Sequence, residues 1–212
     1  MSARTAVVFD LGKVLVDFDY RIAAGRIAAR SRFTPEQLGL FMMQSPLLLD
    51  YERGRFTSQE FFEQVRAATG FTGNFETFGA LFGDIFVPIE PMVRLHASLR
   101  QRGFPLYIFS NTNELAVRHI RRNFPFFSDF DGYVLSYEHG AMKPEPALYE
   151  VVENQSHRRG AEILYADDRL ENIAAAATRG WQVVLHETPE KTKAAFSALL
   201  QLEDVPRPAR RN

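Results

Sequence analysis

The 212-residue chain is 46% hydrophobic and 24% charged. That is the usage of a folded globular protein, one large domain or a core carrying an insertion, and it excludes disorder, collagen and coiled coil for the bulk of the chain. Its 25 Lys and Arg nearly cancel 26 Asp and Glu, for a formal net charge of -1, so no global field draws it to nucleic acid or an anionic membrane. The absence of cysteine rules out a disulfide framework, a thiolate nucleophile and a zinc ribbon, and a reducing compartment fits.

The first apolar run, Ala6-Val7-Val8-Phe9, is interrupted at once by Asp10. It is too short for a signal h-region or a membrane span, as are Leu47–Leu49 and Ile173–Ala177, so we expect a soluble, cytoplasmic protein. Four more short apolar runs follow: Leu106–Phe109, Tyr133–Leu135, Ile163–Tyr165 and Val183–Leu185. Their continuous apolar character is what strands buried on both faces of a parallel sheet require. Helix signals separate the later runs. Pro91 opens one helix that Gly103 closes, Pro144 opens another, and Gly180 stands at a C′ position. The pattern predicts an α/β, doubly wound parallel sheet.

Residues 18–90 break the rhythm, because they lack strand signals and carry two capping boxes, Thr34-Pro35-Glu36-Gln37 and Thr57-Ser58-Gln59-Glu60. They also hold ten phenylalanines, from Phe33 to Phe86, which read as the core of a small helical bundle. We therefore expect a core domain over 1–17 and 91–204, a helical cap over 18–90, and a solvated tail at 205–212.

Three predicted strands end in polar groups: Phe9 runs into Asp10, Phe109 into Ser110-Asn111, and Ala166 into Asp167-Asp168. In an open parallel sheet the carboxyl ends of the strands border one crevice, so these groups should meet there. Carboxylates facing a hydroxyl and an amide suggest a divalent cation and an anionic substrate. The plainer explanation for each is a helix cap: Asp168 with Glu171, or Ser110 or Asn111 ahead of the helix after their strand. Lys143, just before Pro144, is expected at a helix N-terminus, where an anion is favoured. The five histidines have no ligand spacing. Arg118, Arg121 and Arg122 with His119 read as a solvated face rather than a nucleic-acid footprint.

Four motifs in this order, Phe9-Asp10-Leu11-Gly12-Lys13-Val14-Leu15-Val16-Asp17, Phe109-Ser110-Asn111-Thr112-Asn113, Lys143-Pro144-Glu145, and Asp167-Asp168 followed by Asn172, resemble the haloacid dehalogenase-like hydrolase superfamily over about residues 5 to 200. Within it the chain looks most like the bacterial sugar-phosphate phosphatases that hydrolyse glucose 1-phosphate, and Glu52-Arg53-Gly54 is similar to that subgroup as well. The resemblance implies a Rossmann-like core with a helical cap. It also implies an Mg²⁺-dependent phosphatase of a small phosphorylated metabolite, acting through an aspartyl phosphate; the charge balance and the short apolar runs lead us to expect no nucleic-acid or membrane partner. It assigns Asp10 as nucleophile, and Ser110, Asn111 and Lys143 to the phosphoryl group. The metal goes to Asp10, the Gly12 carbonyl and Asp168, with Asp167 beside it or bound through water.

The chain departs from the superfamily at Gly12, where most of its phosphatases carry an aspartate as general acid and base, and at Lys13, where glycine is usual. Two other readings stand beside the phosphatase. A 2-haloacid dehalogenase also uses the aspartate nucleophile, but that family resembles serines where Asp167-Asp168 stand. A catalytically impaired phosphate-ligand-binding member would follow if Lys13 paired with Asp10 or filled the metal site. For the substrate-reading residues of the cap, Met42, Met43, Gln44, Tyr51 and Arg53 are the expected candidates.

Overall fold

The structure, a computed structural model, describes residues 4–202; the tail expected at 205–212 lies outside the described residues. In chain order the elements are β1 (Ala6–Phe9), β2 (Val16–Phe18), α1 (Tyr20–Ala28), α2 (Pro35–Gln44), α3 (Leu47–Glu52), α4 (Ser58–Thr69), α5 (Phe75–Gly83), β3 (Phe86–Pro88), α6 (Glu90–Gln101), β4 (Leu106–Ser110), α7 (Glu114–Asn123), β5 (Gly132–Leu135), α8 (Ser136–His139), α9 (Pro146–Ser156), β6 (Ile163–Asp167), α10 (Leu170–Thr178), β7 (Gln182–Leu185) and α11 (Pro189–Leu199). The five apolar runs all become strands of one parallel sheet, in the order β5-β4-β1-β6-β7.

Both faces of the sheet are covered, which is why those runs show no alternation. Val7, Phe9, Leu106, Ile108, Leu164 and Ala166 pack with Met92, Leu95, Leu99 and Phe196 of α6 and α11. Their neighbours in sequence, including Ala6, Val8, Tyr107, Phe109, Ile163 and Tyr165, face Leu148, Tyr149, Val152 and Ile173 of α9 and α10. The chain passes from β1 outward to β4 and β5, then returns to the other side of β1 as β6. The point where winding reverses therefore lies at β1, where a crevice opens at the strands' carboxyl ends.

Helices α1 to α5 enclose a separate core built on Phe61, Phe62, Phe71, Phe78 and Phe82. Both expected capping boxes form, Thr34 with Gln37 and Thr57 with Glu60, so two helix starts are set by local chemistry. One expectation fails at the edge of this segment. Residues 86–88 are a strand, paired antiparallel with β2 so that Phe18 lies opposite Phe86. Strands of three residues are too short to display a period, and they form here because they join the helical segment to the sheet.

A second difference concerns Pro144. Helix α9 begins at Pro146, with Glu145 extended at its N-cap and donating its N–H to the Met142 carbonyl at 2.7 Å. A residue ahead of proline is pushed out of the helical region, so Pro146 excludes Glu145 from the helix and Pro144 falls in the preceding turn. Lys143 is thus not at a helix N-terminus as expected.

Candidate active site

Lys143 instead turns inward. Its Nζ lies 3.0 Å from Asp10 Oδ1 and 2.7 Å from Asp167 Oδ2, and donates to the Phe109 carbonyl at 2.9 Å and the Tyr165 hydroxyl at 3.2 Å. The ammonium also sits 5.1 Å from the centre of the Phe109 ring. A lone ammonium in such a place would cost several kcal/mol, and two carboxylates are what make it tenable. Burial pulls the Lys143 pKa down, yet Asp10 and Asp167 outweigh it and hold the amine above its ordinary value.

Asp167 is completely buried. Besides Lys143 it accepts from the Tyr165 hydroxyl, from Asn172 Nδ2 at 3.0 and 3.1 Å, and from the Arg169 N–H at 2.8 Å. Burial alone would raise its pKa, but Lys143 and these donors bring it below the usual carboxylate value. With both oxygens engaged, Asp167 holds Lys143, an arrangement compatible with its expected place beside the cation or bound to it through water.

Asp10 differs, since burial pushes its carboxyl up to about 8, Lys143 opposes this, and the charges of Asp167 and Asp168 add to the rise. Asp168 is exposed at the crevice and is raised first by partial burial and then by Asp167. Carboxylate oxygens of Asp10, Asp167 and Asp168 come within 4.8 Å of one another, and the described residues contain no other such group. Three carboxyls against one buried ammonium leave excess negative charge, and hard oxygen donors at this spacing suit a small divalent cation. The donor set therefore fits magnesium.

The capping alternatives are not realised. The N-cap of α10 is Arg169, and that of α7 is Asn113, whose side chain accepts from the Ala116 N–H, so Asp168, Ser110 and Asn111 cap nothing. Ser110 is buried at the end of β4 and lines the crevice. Asn111, expected among the phosphate-binding residues, lines the crevice, and its side-chain amide clamps the Lys143 backbone, accepting from the N–H at 2.8 Å and donating to the carbonyl at 3.0 Å. This side chain sets the position of the lysine.

Lys13 neither pairs with Asp10 nor occupies the carboxylate cluster. Its Nζ binds Asp17 at 2.5 Å and the Phe18 carbonyl at 2.8 Å, and lies 4.7 Å from the centre of the Phe18 ring. Its φ of 61° is a left-handed conformation that glycine adopts without cost, which accounts for glycine being usual there. At Gly12 an added Cβ would come within 2.8 Å of Phe18 Cε1. The space a side chain would need is filled by that ring. Gly12→Ala should cost about 1–3 kcal/mol in thermal unfolding, with Phe18→Leu restoring part of it.

The crevice is a cavity of about 410 Å³ whose floor is Asp10, Ser110, Asn111, Lys143 and Asp168. Its opposite wall comes from the helical segment: Phe18, Tyr20, Leu48, Leu49 and Glu52. Of the expected substrate-reading residues, Tyr51 is buried in the helical core, Arg53 pairs with Glu145, and Met42 lines a neighbouring apolar cavity. The side chains of Met43 and Gln44 lie outside the described residues. The leucine pair on the six-residue helix α3 carries no motif, and Glu52 stands in the Glu52-Arg53-Gly54 step without any signal that marks its side chain as a site residue.

A buried aspartate at the end of the first strand thus meets a buried lysine at the carboxyl edge of a parallel sheet, facing the helical segment across the crevice. The family model of the haloacid dehalogenase-like hydrolases matches residues 5–180. The chain belongs to that family. Among curated relatives it is 27% identical to a sesquiterpene phosphatase of Aspergillus oryzae, over 86% of this chain and 89% of that protein. It is also 23% identical to a D-ribitol-5-phosphate phosphatase of Bacteroides thetaiotaomicron, over 92% and 97%. A solved structure of a family enzyme from Bacteroides thetaiotaomicron, in complex with magnesium and inorganic phosphate, superposes with a TM-score of 0.76 at 24% identity, over 86% of this chain and 93% of that one. Among the described residues no helix is long and apolar enough to cross a membrane.

Proposed function

We propose that the chain is a magnesium-dependent phosphatase of small phosphorylated metabolites in the cytoplasm, working through an aspartyl phosphate on Asp10. The observation that carries this reading is the Lys143 ammonium held between Asp10 and Asp167, with Asp168 open to the same crevice. Asp10 attacks phosphorus, Lys143 and Ser110 steady the phosphoryl oxygens, and water then releases phosphate. Asp10, Asp168 and the Gly12 carbonyl would hold the cation, which supplies charge neutralisation for the phosphoryl group. The two curated relatives described above are phosphatases, and the Bacteroides structure holds the two ligands this donor set would accept. Halide displacement from carbon needs no cation, so the carboxylate cluster speaks against a dehalogenase. With Lys13 turned away to Asp17, the motive for an impaired member falls.

Within this reading the substrate is a sugar phosphate, with a sugar 1-phosphate the first candidate, in keeping with the resemblance of the motifs to phosphatases that hydrolyse glucose 1-phosphate. One observation favours a second substrate class. An apolar cavity of about 110 Å³ between α1 and α2 shares Tyr20 and Leu48 with the crevice, so the phosphate of an apolar alcohol would also be accommodated. The test is phosphate release from p-nitrophenyl phosphate, a sugar 1-phosphate and a prenyl phosphate, with magnesium and with EDTA. Activity abolished by EDTA and restored by magnesium is expected. Asp168→Asn should raise the magnesium requirement steeply at little cost in stability, since the Asp168 side chain caps no helix. Full activity in EDTA overturns the metal assignment.

A further inference from the structure

Gly12 leaves the reaction without an acid beside the nucleophile, and Phe18 closes the space there. The ionisable side chains lining the crevice are Asp10, Lys13, Tyr20, Glu52, Lys143, Asp168 and Arg169. Lys143 is locked between two carboxylates, Lys13 is paired with Asp17, and burial puts the Tyr20 hydroxyl well above its ordinary value. Asp10 and Asp168 belong to the carboxylate cluster. We propose that Glu52, lining the crevice from the helical segment, is the catalytic acid and base that the chain lacks at Gly12; this rests on the phosphatase reading above.

Glu52 is fixed in place by contacts between the two halves of the molecule. Its carbonyl accepts from Ser136 Oγ at 2.6 Å, and that hydroxyl also accepts from the Thr112 N–H at 2.9 Å beside the crevice. Before it, the Tyr51 hydroxyl accepts from the Leu115 N–H at 3.1 Å; after it, Arg53 pairs with Glu145. A Cβ at Gly54 would meet the Tyr137 carbonyl oxygen at 2.1 Å, so the turn lies directly on the sheet domain. These contacts present the carboxyl at the end of α3 to the crevice. Its Oε1 lies 3.4 Å from the Tyr20 hydroxyl, and the other side chains acting on it are Asn113 and Arg169. Burial pushes the carboxyl up to about 7, with Tyr20, Asn113 and Arg169 opposing, so it can give and take a proton near neutral pH.

In-line displacement places both the leaving oxygen and the later attacking water on the side of phosphorus away from Asp10, so one group serves both steps. As the Asp10 oxygen bonds to phosphorus, the ester P–O bond breaks and the alkoxide takes the Glu52 proton, leaving as an alcohol. Water then attacks the aspartyl phosphate and gives its proton to the Glu52 carboxylate. The P–O bond to Asp10 breaks, and both carboxyls return to their starting states with inorganic phosphate released.

The test compares kcat/KM for an alkyl phosphate, glycerol phosphate or a sugar 6-phosphate, with that for p-nitrophenyl phosphate, whose leaving group needs no proton. Glu52→Gln should lower the alkyl value by about 10²–10⁴-fold and the aryl value by less than about tenfold. In wild type the alkyl value should fall as pH rises above about 7, where the acid loses its proton, while the aryl value should not. Glu52→Gln should abolish that limb, and Glu52→Asp should restore part of the rate. If the glutamine variant does not fold, the contrast between the two wild-type pH profiles decides. Equal losses on both esters, or a limb unchanged in the variant, overturn the proposal while leaving the phosphatase reading intact. A wild type inactive on both esters overturns the phosphatase reading itself.

Discussion

Asp10→Asn should lower phosphatase turnover by about 10⁴-fold or more and still yield a folded protein, because the amide has the shape of the carboxyl and lacks only the nucleophilic charge. Burial pushes the Asp10 carboxyl up to about 8, so folding disfavours its charge and the neutral amide should not lower Tm. Lys143 loses one partner but retains Asp167 at 2.7 Å. Phosphate release at saturating substrate, together with thermal unfolding, checks both halves. Turnover within tenfold of wild type removes Asp10 from the chemistry.

Lys143→Met should have the largest effect on stability. The side chain is almost wholly buried, and without its charge Asp10 and Asp167 face each other with nothing between them. Breaking a buried ion pair by removing one member costs about 3–5 kcal/mol. The loss should depend on pH in a definite sense. With the cation gone both carboxyls titrate above their unfolded values, so the folded state binds more protons than the unfolded chain, and stability present in acid is lost as pH rises toward neutrality. Urea unfolding at pH 5 and pH 8 should show the variant closer to wild type at the lower pH. An equal deficit at both would mean that packing of the aliphatic stem, not charge, explains the cost.

Much of the molecule was legible in the residues alone. Five runs without alternation became five parallel strands, since a strand covered on both faces has no solvent side to mark. Two capping boxes formed as read, because their hydrogen bonds span three residues and need no tertiary partner. Asp10, Ser110 and Asp168 meet at one crevice because the strand ends of a parallel sheet must share an edge, and Lys143 joins them from the turn before α9. The misreadings are of another kind. Pro144 looked like a helix start, but Pro146 two residues later displaced the helix through its restriction on Glu145. Nor did any motif announce that the Asn111 side chain holds the Lys143 backbone, a partner thirty-two positions away.

Sequence by itself determined the α/β class, the helical segment after the first strand, and the residue types gathered at the strand ends. Those features follow from short-range periodicity, caps and chain order. Only the tertiary structure decided that Lys143 is shared by Asp10 and Asp167, that Phe18 fills the space beside Gly12, that Lys13 turns to Asp17, and that Glu52 closes the crevice from above. Each of these depends on which side chains from distant segments reach the same few ångströms, and on how burial there alters charge. Neither composition nor spacing encodes that distance.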